Sequence, residues 1–228
     1  MSTRQQVAGV LLAAGEGSRF GRPKALAEFE GEPLADRGVR LLAGGGATPV
    51  VVVTGAVTVE LAWDLGDVIV AHNPVWRSGM GSSLAVGLGA VPPASGAAVI
   101  ALVDQPLVRP EAVRRLVAAY RDGASVAVAA YRGRARNPVL LAREHWAEVI
   151  ERAVGDVGAR PFLRAHPELV TLVECGDTGD PADADTPADL AAFTLCARRA
   201  GAVSARRTED PRHGSRPGQA PGQSGPGQ

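Results

Sequence analysis

The sequence predicts an α/β domain in three layers, with helices on both faces of a mixed, mostly parallel sheet. Short apolar, β-branched runs alternate along the chain with helical patterns, the arrangement of repeated strand–helix units. The strongest runs are apolar on both faces, as strands covered from each side must be. A chain of 228 residues that is 46% hydrophobic also has enough apolar surface for one sizeable core.

Val7 to Ala13 is the first predicted strand. Val50 to Thr54 (VVVVT), Val68 to Ala71 (VIVA), Val99 to Val103 (VIALV) and Ser125 to Tyr131 (SVAVAAY) follow, with weaker runs at Val139 to Leu141 and Leu169 to Val173. Helices fall between them. In RPEAVRRLVAAYRDG, Val113, Leu116, Val117 and Tyr120 recur at helical spacing, Pro110 suits the first turn and Gly123 the stop. In DTPADLAAFTLCARR, Thr186 and Asp189 form a capping box around Pro187. Further helices are expected over Ser83 to Ala90 and Arg143 to Ala153.

Residues 1–200 are expected to form the domain. From about Gly201 the chain repeats Pro-Gly-Gln and carries no large apolar residue near its end. Such a tail cannot offset chain entropy by burial and is expected to be disordered. Arg4 and the apolar run after it look a little like a short leader, but the run is barely a strand long and feeds a glycine loop. The expectation is a cytoplasmic protein without a membrane span.

Acids and bases balance at 24 each, for a formal net charge of zero. No global charge draws the chain to nucleic acid or to a membrane surface. Cys175 and Cys196 lack metal-type spacing and are expected to be buried, reduced thiols.

The chemistry is expected at LLAAGEGSRFGRPKAL, residues 11–26. A strand runs into flexible backbone followed at once by Arg19, Arg22 and Lys24, so an anion is the expected ligand. A dinucleotide fingerprint fails because Phe20 stands at the third glycine and Gly21 comes one residue late. A Walker loop fails because Lys24 follows Pro23 and precedes Ala25. Arg19 offers a planar fork and Lys24 a compact charge for one polyphosphate. Lys24 is the only lysine in the chain, and its neighbours in the loop are Gly15, Gly17 and Ser18.

Leu12, Ala14, Gly15, Ser18, Arg19, Gly21 and Lys24 resemble the signature of the GT-A-like nucleotidyltransferases. The resemblance implies a Rossmann-like nucleotidyltransferase fold and a loop that wraps a nucleoside triphosphate. NPVWRSGMGSSLAVGL, DQP, RNPVLL, GDVGAR and DADTPADL follow in the order of the molybdenum cofactor cytidylyltransferase (MobA-like) group, across nearly all of residues 7–197. Phe20 and Arg136 depart from that group, where methionine and glycine are usual.

Asp104 follows a strand and Asp185 precedes a helix; either could serve a local turn or cap. With the loop, they match the two metal carboxylates of nucleotidyltransferases, for Mg2+, and Asp183 stands near enough to replace Asp185. The resemblance puts Gly79 and Ser83 near the base, beside the backbone of Leu12, Ala13 and Ala14, and residues 156–160 near the acceptor. It implies catalysis by Arg19, Lys24 and Asp104: a nucleoside monophosphate passes from an NTP, expected to be CTP because LAAG accompanies cytidine users, to a phosphorylated acceptor, molybdopterin. The alternatives are another acceptor (a sugar phosphate, a phospholactate-like acid, or molybdopterin with GTP) and a non-catalytic nucleotide-binding maturation factor for a molybdenum hydroxylase.

Overall fold

A seven-stranded sheet carries the chain and separates two apolar cores. The computed structural model describes residues 6–62 and 64–196; the predicted tail, residues 201–228, lies outside the described residues. In chain order the strands are β1 (Gln6–Leu12), β2 (Glu28–Phe29), β3 (Glu32–Pro33), β4 (Val50–Thr54), β5 (Val68–His72), β6 (Ser95–Leu102), β7 (Val126–Tyr131), β8 (Arg134–Ala142) and β9 (Val170–Glu174). The helices are α1 (Leu34–Gly44), α2 (Met80–Ala90), α3 (Pro110–Asp122), α4 (Trp146–Arg152) and α5 (Arg160–Ala165), with α6 over residues 187–196.

The sheet order is β5-β4-β1-β6-β8-β7-β9, and β2 pairs with β3 as a separate hairpin. The large sheet is parallel except for β8, which runs antiparallel to both β6 and β7. Val39 and Leu42 of α1 and Val113 and Leu116 of α3 close one face. Leu84 and Leu88 of α2, Trp146 and Val149 of α4, and Phe162 of α5 close the other. The three layers and the mostly parallel sheet are those the sequence predicts.

Register brings the functional loops together. Leu12 pairs with both Val53 and Leu102, so β1, β4 and β6 end level. The glycine loop after β1 and Asp104 after β6 therefore leave one edge of the sheet, where open α/β sheets bind ligands.

Several elements differ from expectation; the β2–β3 hairpin and α5, like α1, are not among those predicted. α1 is not among the predicted helices: Gly38 interrupts its apolar stripe, Gly44 ends it, and Gly45 and Gly46 follow. Burial of Leu34, Val39, Leu41 and Leu42 overrides that weak propensity. β6 begins at Ser95, before the predicted Val99, because its first half is small residues with little strand signal. β8 begins at Arg134, because its polar half is the exposed arm of a hairpin with β7. The capping box at α6 forms as expected: the Asp189 carboxylate accepts from the Thr186 amide at 2.7 Å, and the Thr186 hydroxyl accepts from the Asp189 amide at 3.2 Å. Cys175 is buried but Cys196 is exposed, against the expectation for both. Among the described residues no helix is long and apolar enough to cross a membrane.

Candidate active site

The glycine loop folds on itself before it reaches its cations. The Gly21 amide donates to the Gly17 carbonyl at 2.8 Å. Gly17 has φ +66°, and a Cβ there would stand 2.1 Å from the Arg22 carbonyl oxygen. Only glycine fits that position. Gly15 by contrast faces open space, and Ser18 is exposed.

The loop ends in a 3-10 turn (Lys24–Leu26) that aims Lys24 at the predicted metal carboxylates. Its Nζ donates to Asp104 Oδ2 at 2.8 Å and to Asp185 Oδ1 at 3.0 Å. Arg19 donates to the other Asp185 oxygen at 3.2 Å. Four residues from three distant segments thus converge on one point. The Lys24 side chain is 14% exposed there, against 77% for Arg19. Burial works against the lysine's charge, but hydrogen bonds and attraction to Asp104 and Asp185 outweigh it. Its pKa lies above the ordinary lysine value, so it is cationic at neutral pH.

Asp183 points elsewhere. Gln105 Nε2 donates to its Oδ1 at 2.8 Å and to the Pro181 carbonyl at 3.0 Å. Burial raises its carboxyl above the usual range, the neighbouring charges of Asp104 and Asp185 add to this, and the Gln105 bond opposes it. The Ala184 amide donates to the Asp104 carbonyl at 2.8 Å, which fixes the 183–185 loop against the end of β6. Beneath it Phe20, Phe29, Leu34, Ala184 and Leu190 form a third apolar cluster. The aromatic departure at Phe20 is therefore a packing residue that binds the glycine loop to the aspartate loop.

The carboxylate pair asked of a magnesium site is present. Magnesium takes one or two protein carboxylates and completes its shell with water and phosphate oxygens. Oxygens of Asp104 and Asp185 already meet a single cationic atom, Nζ of Lys24, so the pair fits a cation of that kind. Among the described residues no group of three or more His, Cys, Asp and Glu converges for a metal, and substrate oxygens would complete the shell.

On the side expected to receive the base, much of the polar backbone of residues 12–14 is already engaged. The Leu12 carbonyl accepts from Val103, the Ala13 amide donates to Val53, and the Ala14 carbonyl accepts from Ala56. Trp76 packs against Gly55 beside Ala14, where a Cβ on Gly55 would stand 2.7 Å from Trp76 Cβ and 2.8 Å from the Ala14 oxygen. This brings the NPVW segment to the end of β1. Asn73 is fully buried. Its side chain donates to Ser82 and Ser83 at 2.8 and 3.0 Å and accepts from the Val75 amide at 3.0 Å. Ser83 is thus a buried anchor at the start of α2. Gly79 meets Gly155 so closely that a Cβ would lie 2.4 Å from the Gly155 carbonyl carbon.

That contact divides the GDVGAR motif. Asp156 accepts from the Met80 amide at 3.2 Å, at the start of α2. Arg160 instead lines a cleft of about 940 Å³, beside Arg132, Arg134, Arg136 and Arg164. The cleft reaches Gln105 and Asp183 but is not lined by the glycine loop or by Lys24, Asp104 or Asp185. Two compartments therefore adjoin along the sheet edge: an open cationic loop and a larger arginine-rich cleft. Sequence reasoning picked out Arg136 and Arg160. It missed Asn73 as an anchor, Gln105 as the partner of Asp183, and the role of Arg132, Arg134 and Arg164. The RGRAR run was the available signal for the arginines.

Residues 9–170 match the MobA-like NTP transferase domain. The chain belongs to that family. It is accordingly a nucleotidyltransferase-type enzyme, as the loop and its carboxylates indicate. The family includes relatives of diverse description. The chain is 37% identical over 192 residues to nicotine blue oxidoreductase of Paenarthrobacter nicotinovorans, covering 79% of this chain and 92% of the relative. It is 52% identical over 50 residues to the "Probable molybdenum cofactor guanylyltransferase" of Opitutus terrae, covering 22% of this chain and 25% of that one. Among solved structures, Rv0371c of Mycobacterium tuberculosis H37Rv superposes with a TM-score of 0.68 at 27% identity, over 85% of this chain and 98% of that one. A manganese complex of Rv0371c superposes at 0.61 with 26% identity, over 75% of this chain and 89% of that one.

Proposed function

We propose that this MobA-like transferase moves a cytidine monophosphate from CTP to the phosphate of molybdopterin, with Mg2+, and releases pyrophosphate. The observation that carries the reading is the convergence of Asp104 and Asp185 on Nζ of Lys24, at the end of a glycine loop.

A phosphate oxygen of the acceptor attacks the α-phosphorus in line, and the bond to the β-phosphate oxygen breaks. The attacking group is already anionic, so no general base is needed. Catalysis is then positioning plus charge stabilisation. Asp104 and Asp185 would hold the magnesium ion, whose chemistry would be charge neutralisation on phosphate oxygens. Lys24 leaves its carboxylate partners for the triphosphate, and the exposed Arg19 closes over the leaving pyrophosphate. Gly15 and Gly17 let the backbone approach the phosphates. The Trp76–Gly79 side of the site, with the end of β1, receives the base. Delivery of the product to a molybdenum hydroxylase is the step that follows.

The direct test offers CTP, GTP, ATP and UTP at equal concentration with molybdopterin and Mg2+, and follows pyrophosphate and product mass. Preferential formation of the cytidine adduct is expected. A guanosine adduct would overturn the base, and no adduct with any nucleotide would overturn the acceptor. The name of the 37%-identical relative favours a second reading, redox chemistry. Oxidation of a reduced nicotinamide without pyrophosphate release would select it.

A further inference from the structure

Asp104 and Asp185 sit on two loops remote in sequence, so their separation depends on how those loops are joined. The joint is a short ladder. The Ala184 amide donates to the Asp104 carbonyl at 2.8 Å, and the Asp180 amide donates to the Leu107 carbonyl at 3.4 Å. Between these two backbone rungs lies one side chain. Gln105 Nε2 donates to Asp183 Oδ1 at 2.8 Å and to the Pro181 carbonyl at 3.0 Å. The loops approach closely at the far end, where a Cβ on Gly179 would stand 2.3 Å from the Leu107 carbonyl oxygen. From the other side, Arg37 of α1 donates through Nε to the Pro106 carbonyl at 2.7 Å. The 104–107 loop is thus tied to α1, and the 179–185 loop is tied to it in turn through the ladder.

Gln105 is 6% exposed, and a buried amide has to match its neighbours. A carboxylate and a carbonyl face its nitrogen, and both are acceptors only, so chemistry fixes which way the amide points. Neither of its hydrogen bonds goes to Lys24 or to a predicted metal ligand. Its position is what counts. Gln105 follows Asp104 directly, and its partner Asp183 stands two residues before Asp185. The outcome of the ladder is read at Lys24, whose Nζ has Asp104 Oδ2 at 2.8 Å and Asp185 Oδ1 at 3.0 Å. A divalent cation shared by the two carboxylates needs them held that near, although their like charges repel.

We infer that Gln105 is a positioning residue: by tying residues 181–183 to the end of β6, it sets the distance between Asp104 and Asp185 and so the affinity of that pair for a divalent cation. The inference rests on the metal role proposed for the pair and adds the residue that builds it. Without the amide, Asp183 and the Pro181 carbonyl lose their donor. The 179–185 loop is then left with backbone rungs alone, and Asp185 is free to swing away from Asp104.

The test is a manganese titration of the full chain at pH 8 without nucleotide, followed by electron paramagnetic resonance. Gln105→Met removes the donor at nearly constant size. It is expected to weaken manganese binding at least about tenfold, the loss that one hydrogen bond to a charged group represents. Gln105→Glu should also weaken it. The added negative charge would by itself draw the cation in, so a loss there marks a change of geometry. The deciding variant exchanges the two groups. Gln105→Glu combined with Asp183→Asn restores a donor–acceptor pair, now reversed, at the wild-type net charge. It is expected to return to within about threefold of wild-type affinity, a coupling that independent sites would not show. Circular dichroism and urea midpoints check folding, and if Gln105→Glu alone does not fold, Gln105→Met and the exchanged pair decide. A Gln105 that only stabilised the fold would lower the urea midpoint and leave manganese affinity unchanged. That result, or an exchanged pair that stays as weak as Gln105→Met, would overturn the inference. A wild-type chain that binds no manganese would remove the metal site and the inference with it. Pyrophosphate release is followed separately: manganese binding lost and recovered as expected, with no transfer to any phosphorylated acceptor, would remove nucleotidyl transfer and leave the role of Gln105 standing.

Discussion

Lys24 concentrates the chemistry at the scale of single residues. It touches Asp104 and Asp185 at once, so Lys24→Ala does two things. It removes a cation from the developing charge of the transition state, which is expected to lower turnover by about 10²–10³-fold. It also leaves two half-buried carboxylates facing each other. From sequence alone the variant is expected to keep its stability. The geometry gives a different expectation: a loss of about 1–2 kcal/mol for breaking a partly buried ion pair, read as a lower urea midpoint in metal-free buffer. The two candidate second ligands separate at the same scale. Asp185 shares Lys24 with Asp104, whereas Asp183 is taken by Gln105. Asp104→Asn and Asp185→Asn are expected to abolish manganese binding measured by electron paramagnetic resonance. Asp183→Asn is expected to retain it. The reverse result would reassign the site.

Elements decide how those residues are presented. The β7–β8 hairpin depends on Glu174, whose carboxyl is held below the usual range, chiefly by the Gly133 amide and then by Gly176. A depressed carboxylate pKa contributes order above the unfolded value, about 4.3, and that order is lost as pH falls through the folded value. The Gly133 amide is therefore expected to exchange hydrogen faster relative to β1 amides below about pH 4, and Glu174→Gln should reproduce the loss at neutral pH. Unchanged exchange in both would show that the turn holds itself. On the other face, α2 meets the 153–156 segment through glycine: a Cβ on Gly81 would stand 1.7 Å from the Ala153 oxygen. GMGSSL and GDVGAR, remote in sequence, are two sides of one backbone contact.

At the scale of the whole molecule, α6 braces the two loops of the candidate site. Leu190 packs with Phe20 and Phe29, so α6 clamps the aspartate loop onto the glycine loop. Truncation after residue 200 is expected to leave activity and melting temperature unchanged, because what is removed has no composition for a core. Truncation after residue 186 is expected to lower both, with the KM for nucleotide rising as Arg19 and Asp185 lose their support. Equal behaviour of the two truncations would show that α6 has no part in the site.

The sequence alone carried the class of the sheet and marked the glycine loop as the candidate site. Both are written in local patterns: β-branched runs of strand length, caps at α3 and α6, and a glycine loop with a single lysine. It carried Asp104 and Asp185 as candidates but could not choose Asp185 over Asp183, since the choice depends on which carboxylate meets a residue some 160 positions away. α1 was illegible because its glycines hide a stripe that only burial stabilises, and the first half of β6 because alanine carries little strand signal. The tertiary structure alone decided that Phe20 is a packing hinge between loops, that Ser83 is an anchor for Asn73, and that the scattered arginines of β8 and α5 line one cleft. Each depends on contacts between segments far apart in the chain. Local propensity records the conformation of a segment, but the neighbours it meets are set by sheet order and register.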